Sequence, residues 1–191
     1  MLNELLDWDR ETFIYLNGLG IEQYDFFWST ITTITTWVPL FLLFAFLLLK
    51  AYPKKQGLYS ILTVLVLFFF VLTLTDLTKE IVARLRPNND VDINGVIRII
   101  KNSKGYSFFS GHASSSFSIT TIIVLFLRKK YPWVFVFYLW AFLFTISRIY
   151  VGVHFPIDLM VGALVGTVSA LFFYWLHGKL ILPYLGLDRH E

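Results

Sequence analysis

Three short groups of polar residues carry the chemistry legible in this chain. Lys79, Arg86 and Pro87 form the pattern K-x6-R-P, and Ser110, Gly111 and His112 form S-G-H. Ser147, Arg148, His154 and Asp158 form S-R-x5-H-x3-D. Pro156 suits the first turn of a helix, which puts Asp158 in that turn, able to fold back and accept a hydrogen bond from one ring nitrogen of His154. The other nitrogen is then a directed lone pair, the state of an activated histidine nucleophile or base. Ser110 is a helix N-cap whose following amides are unpaired and attract anions. Lys79 and Arg86 are seven apart and return to nearly one face on a helix, where like charges repel unless an anion lies between them. Cations, a helix-start turn, two histidines and a carboxylate are an inventory for moving a phosphoryl group without a metal.

Each group has a plainer reading that stays open when it is taken alone. Lys79 and Arg86 equally suit basic side chains reaching toward headgroups. Arg84 points away from both on a helix and is the stronger candidate for that role. Pro87 is expected to end the helix. His112 suits an interfacial histidine on a capped helix, and His154 with Asp158 suits a structural pair. Their coincidence in one chain favours chemistry.

The elements that must position these groups follow from composition. Of 191 residues, 57% are hydrophobic, 19% aromatic and only 15% charged, more apolar surface than a soluble core of this size hides. The chain therefore reads as an integral membrane protein. No linker, repeat or low-complexity tract divides it, so residues 1–191 are expected to form a single membrane-embedded domain. There is no cysteine, which excludes disulfides and thiolate metal sites, and a net charge of +3, small and dispersed, gives no footprint for nucleic acid.

Five segments have the character of spans: Ile31 to Leu49, Leu58 to Thr78, Ala113 to Leu127, Trp133 to Ser147 and Ile157 to His177. Before them, residues 2–19 carry an irregular apolar stripe among acidic residues and read as an amphipathic interfacial helix, although a sixth span remains open. The expected fold is thus all-α, a bundle of five spans plus this helix. Parity of the spans brings all three groups to one membrane face. Short loops on the other face hold Lys50, Lys54, Lys55, Arg128, Lys129 and Lys130, which the positive-inside rule assigns to the cytoplasm. The 16 Lys and Arg residues divide evenly between the faces, so this assignment counts Lys79, Arg86 and Arg148 as site residues. The site is then expected to face the periplasm or exterior of a bacterial inner membrane.

Taken in order from Lys79 to Asp158, the three patterns resemble the signature of the type 2 phosphatidic acid phosphatase family of membrane lipid phosphatases. Phe109 stands where that family usually has proline before S-G-H. The resemblance implies a helical bundle, often of six helices, and metal-independent, cofactor-free removal of phosphate from a lipid phosphate or diphosphate. It implies His154 as the nucleophile that forms a phosphohistidine, Asp158 as its orienting partner, and His112 as the acid that protonates the departing oxygen and then activates water. Lys79, Arg86 and Arg148, with amides near Ser110 and Gly111, would hold the phosphoryl oxygens.

Undecaprenyl diphosphate, phosphatidylglycerol phosphate, phosphatidic acid and lipid A phosphates are all compatible substrates. The loop from Asn88 to Phe109, with Asp90, Asp92, Arg98, Lys101 and Lys104, is the candidate for headgroup selection; solvated loop surface is the competing reading. A non-enzymatic anion-binding transport or scaffold protein is the alternative function, and it would need the cations but not His112, His154 and Asp158 together. Ser114, Ser115, Ser116 and Ser118 are expected to allow close helix packing, and Gly162 with Gly166 to meet another helix within the molecule or between subunits.

Overall fold

The computed structural model describes residues 2–186. All regular structure among them is helical: α1 (Leu2–Gly18), α2 (Asp25–Ile31), α3 (Val38–Ala51), α4 (Lys54–Val82), α5 (Gly111–Leu127), α6 (Phe137–Tyr150) and α7 (Pro156–Tyr184). Four stretches, carried by α3, α4, α6 and α7, are long and apolar enough to cross a membrane. The shorter apolar helix, Gly111–Leu127, is the third of the five expected spans. It is buried along almost its whole length, packed against α4, α6 and α7. Large apolar side chains such as Leu42, Phe69, Leu139 and Leu164 instead point outward from the other spans. In water such a surface would be untenable, and against hydrocarbon it is the expected one. The chain is an integral membrane protein.

Because lipid tails are as apolar as leucine, helix association here depends on close packing rather than on a hydrophobic drive. The α5–α7 contact is built that way. A Cβ on Gly162 would lie 2.7 Å from the Ser110 carbonyl oxygen, and one on Gly166 would collide with that of Ser114. The G-x3-G pair therefore meets the serine-rich start of α5 within the molecule. The serine hydroxyls bond to their own helix, for example Ser118 to the Ser115 carbonyl at 2.9 Å.

One end of the bundle gathers the C-termini of α4 and α6 and the N-termini of α5 and α7. The opposite end is closed by Lys130, whose ammonium bonds the Ala51 carbonyl and lies 4.6 Å from the centre of the Tyr52 ring. Against the site end, α1 packs across α6 and α7 rather than presenting its stripe only to a membrane surface. Phe13 is fully buried against Phe155, with ring centres 5.3 Å apart. Asn17 bonds the carbonyls of Arg98 and Ile149, each at 3.0 Å, and accepts from the Arg98 amide at 2.7 Å.

Candidate active site

The helix that carries Lys79 ends earlier than its sequence suggests. α4 stops at Val82, where Ala83 adopts a left-handed φ of 50° and donates to the Lys79 carbonyl at 2.9 Å. That conformation costs a residue with a Cβ about 1 kcal/mol. Lys79 and Arg86 therefore do not share a helical face, and Pro87 opens a short 3-10 turn rather than ending the helix. Residues 84–86 run in irregular backbone instead, pinned by Ser107, whose amide donates to the Arg84 carbonyl at 2.8 Å.

That course carries both arginines to the start of α7. Arg86 Nη1 donates to His154 Nε2 at 2.9 Å and to the Val153 carbonyl at 3.2 Å. A guanidinium only donates, so His154 Nε2 is an acceptor and its proton sits on Nδ1. Nδ1 faces Asp158 Oδ2 at 3.3 Å. The same oxygen accepts from the Phe155 amide at 3.1 Å, so Asp158 caps α7 and holds His154 at once. Both residues are buried. Burial first, then the charges on Arg86, Arg148 and Lys79, push the His154 imidazole well below its usual range.

Arg84 was the stronger candidate for a headgroup-directed side chain, and the geometry corrects that. Its Nη1 donates to Asp158 Oδ1 at 2.8 Å and its Nη2 to Asp9 Oδ2 at 2.6 Å, while the guanidinium lies 4.1 Å from the centre of the Phe155 ring. A continuous helix over residues 79–86 would turn this guanidinium away from both carboxylates, and the break at Ala83 turns it toward them. Asp9 looked like one of several acidic residues on an amphipathic helix and carried no signal of its own.

Ser110 caps α5 as expected, its hydroxyl accepting from the Ala113 amide at 3.4 Å, and its amide donates to the Asp158 carbonyl at 3.0 Å. Lys79 Nζ lies 3.5 Å from Asp76 and would be 3.8 Å from a Cβ on Gly111. His112 stacks on Phe144, ring centres 4.5 Å apart, and donates from Nε2 to the Thr32 carbonyl at 3.2 Å. Arg148 donates to the Thr32 hydroxyl at 2.6 Å, and its buried Nε has no hydrogen-bond partner among the described residues. Lys101 reaches the Thr33 hydroxyl at 2.9 Å, so the segment after α2 meets His112, Arg148 and a lysine of the long loop. Neither Thr32 nor Thr33 stood out in the sequence.

All eight residues singled out from the sequence thus gather at one end of the bundle. The loop from Asn88 to Phe109 is tied down rather than free. Arg10 holds Asp90 at 2.9 Å, Arg98 holds Asp25 at 2.9 Å, and the Lys104 carbonyl accepts from Arg86 Nε at 3.2 Å. A glycine permits that docking: Gly152 has φ 84°, and a Cβ there would come 2.5 Å from the Arg98 carbonyl oxygen. No group of three or more His, Cys, Asp or Glu side chains among the described residues is arranged to hold a metal ion.

Fold and site define an all-helical integral membrane protein with a buried His–Asp pair ringed by cations. Residues 56–182 match the model of the PAP2 superfamily, and the chain belongs to that family. A lipid A 4'-phosphatase of Bacteroides thetaiotaomicron is 31% identical over 184 residues, covering 94% of this chain and 81% of that protein. An undecaprenyl-diphosphatase of Sulfolobus acidocaldarius is 32% identical over 152 residues, covering 80% of this chain and 66% of the relative. The fold is that of the PAP2-type phosphatidylglycerolphosphate phosphatase of Bacillus subtilis, with a TM-score of 0.75 at 21% identity, covering 99% of this chain and 90% of that one.

Proposed function

We propose that this protein hydrolyses a phosphate monoester or diphosphate on a membrane lipid, without a metal, through a phosphohistidine. The observation that carries this reading is the state of His154: Nδ1–H is directed at Asp158, and the Nε2 lone pair is held against Arg86. A phosphoryl oxygen that takes the Arg86 donor frees that lone pair beside phosphorus. Nε2 then forms the P–N bond as the P–O bond to the lipid breaks, and His112 gives its proton to the departing oxygen. In the second step His112 takes a proton from water, which attacks phosphorus, breaks the P–N bond and restores His154. Lys79, Arg86 and Arg148, with the amides that follow Ser110 and Gly111, stabilise the charge on the phosphoryl oxygens. Asp158 keeps the tautomer and balances the charge that develops on the ring.

A lipid substrate is supported by an apolar cleft of about 310 Å³ lined by Phe41, Phe44, Leu48, Val64, Phe68 and Phe144. Phe144 is also the ring on which His112 stacks, so the cleft begins where the chemistry would end. Anion binding for transport or scaffolding gives no reason to fix the His154 tautomer. The relatives' names support lipid A phosphates and undecaprenyl diphosphate as candidates, with phosphatidylglycerol phosphate and phosphatidic acid beside them. The basic loops at the far end of the bundle, with Lys50, Lys54, Lys55 and Arg128 to Lys130, support a site that faces the periplasm or exterior of a bacterial inner membrane.

The test is phosphate release by purified protein from a panel of these lipids in mixed micelles with chelator present. Release by the wild type and none by His154→Ala is the expected result. Activity lost to the chelator and restored by one specific divalent ion would overturn the metal-free mechanism.

A further inference from the structure

Asp9 belongs to α1, outside the segment matched by the family model, yet it is fully buried at the site. Both of its oxygens are used: Oδ1 accepts from the Ile157 amide at 2.8 Å and Oδ2 from Arg84 at 2.6 Å. Arg84 in turn holds Asp158 Oδ1 at 2.8 Å, and Asp158 Oδ2 holds His154. The four side chains form one line, imidazole, carboxylate, guanidinium, carboxylate.

We propose that Asp9 is a positioning residue for the His154–Asp158 pair, acting through Arg84. This rests on reading His154 as the nucleophile. A guanidinium shared between two carboxylates leaves Asp158 with more of its negative charge than a guanidinium paired to it alone. That charge is what holds the Nδ1 proton of His154 and balances the ring as it becomes phosphorylated. With the charge of Asp9 removed, Arg84 turns wholly to Asp158 and competes with the imidazole for it. The Ile157 contact adds a second effect, since it fixes the first turn of α7 from which Asp158 projects. Burial pushes the Asp9 carboxyl up, while the Ile157 amide and Arg84 pull it back toward the charged form.

The charged and titratable groups around His154 come from every packed element. Lys79 lies on α4, Arg84 and Arg86 on the segment after it, His112 on α5, Arg148 on α6 and Asp158 on α7. Among these, carboxylates are outnumbered by cations. Loss of the Asp9 charge therefore makes His154 harder to protonate, and the acid limb of the pH profile moves to lower pH.

The experiment compares the wild type with Asp9→Asn and Asp9→Glu in detergent micelles. It reads kcat and KM against pH with dioctanoyl phosphatidic acid and farnesyl diphosphate, and the proton NMR resonance of His154 Nδ1–H, assigned by its absence in His154→Ala. For Asp9→Asn, kcat falls about tenfold with KM nearly unchanged, and the acid limb moves down by about 0.5 to 1 unit. The Nδ1–H resonance moves upfield as its bond to Asp158 weakens, and Asp9→Glu restores both signatures. If Asp9→Asn does not fold, Asp9→Ser removes the charge while keeping an acceptor for the Ile157 amide. A variant that loses activity with an unmoved limb and resonance would show Asp9 to be only a tether for α1, overturning the proposal. A wild type that releases no phosphate from either lipid while the resonance still moves would instead overturn the phosphatase reading and leave the coupling standing.

Discussion

Arg148 and Thr32 meet across 2.6 Å, the guanidinium of α6 donating to the hydroxyl of the C-cap residue that follows α2. The Thr32 carbonyl accepts from His112, so one buried residue engages two of the groups assigned to the phosphoryl site.

Replacing Thr32 with valine removes the hydroxyl and leaves a buried guanidinium short of an acceptor, at a cost of about 1 to 3 kcal/mol. A bound oxyanion supplies what the side chain no longer does. Thermal melting of Thr32→Val should show a lowered Tm that vanadate raises by more than it raises the wild type. Equal stabilisation of the two proteins would contradict the assignment of Arg148 to the anion site.

The two histidines are separable by leaving group. His154→Ala should abolish turnover and any trapped phosphoenzyme. His112→Ala should slow departure and intermediate hydrolysis, and an activated aryl phosphate, whose leaving oxygen needs little protonation, should partly rescue it. Phosphoenzyme formed by His154→Ala but not by His112→Ala would reverse the roles. Asp158→Asn should fold and turn over slowly.

Much of the site was legible because its residues are polar in a chain that can ill accommodate them. Parity of the spans brought Lys79, His112 and His154 to one end without further information. What was not legible depended on backbone course. A helix continued through Ala83 misplaces Arg84 and Arg86 together, and nothing in the local sequence marks an alanine as the left-handed stop. Asp9 and Thr32 act through contacts with residues far along the chain, and such pairings leave no periodic trace. Gly162 and Gly166 showed a close contact but not its partner, which the start of α5 supplies.

The pH dependence follows from the lowered His154 imidazole. As the proposed nucleophile, His154 must be neutral, so the acid limb of kcat/KM should lie below pH 6.5, the ordinary value for a histidine. Arg148→Gln removes a cation that opposes protonation, and the limb should move upward as kcat falls. The unfolded chain takes up this proton near the ordinary value and the folded chain only at lower pH. Stability from this group is therefore present above pH 6.5 and lost as pH falls below it. Matched pH profiles of kcat/KM and of denaturant midpoints check both statements.

Gly166→Ala tests whether helix proximity sets the site. The added methyl meets the Ser114 carbonyl and forces α7 from α5, at a cost of about 1 to 3 kcal/mol. Because the Ser110 amide bonds the Asp158 carbonyl across the same contact, kcat should fall along with Tm. A lower Tm with unchanged kcat would mean the two ends of the contact move independently.

Topology is accessible to labelling because the native chain has no cysteine. A single Asn102→Cys in the exposed loop should react with a membrane-impermeant maleimide in intact cells. Reaction only after the inner face is opened would invert the orientation.

The contacts of α1 also set an order of events in biosynthesis. Asp9 leaves the ribosome 148 residues before Ile157, and Asn17 leaves 132 residues before Ile149. Until α6 and α7 are made, α1 has neither of these partners, and the carboxylate of Asp9 has to remain in water or at the headgroups. Only when α7 is inserted can Asp9, Arg84 and Asp158 close on one another. A ribosome-bound chain truncated before Pro156 would hold Lys79, Arg84, Arg86, Arg148 and His154 but not Asp158, so the proposed phosphate chemistry begins only when α7 is in place.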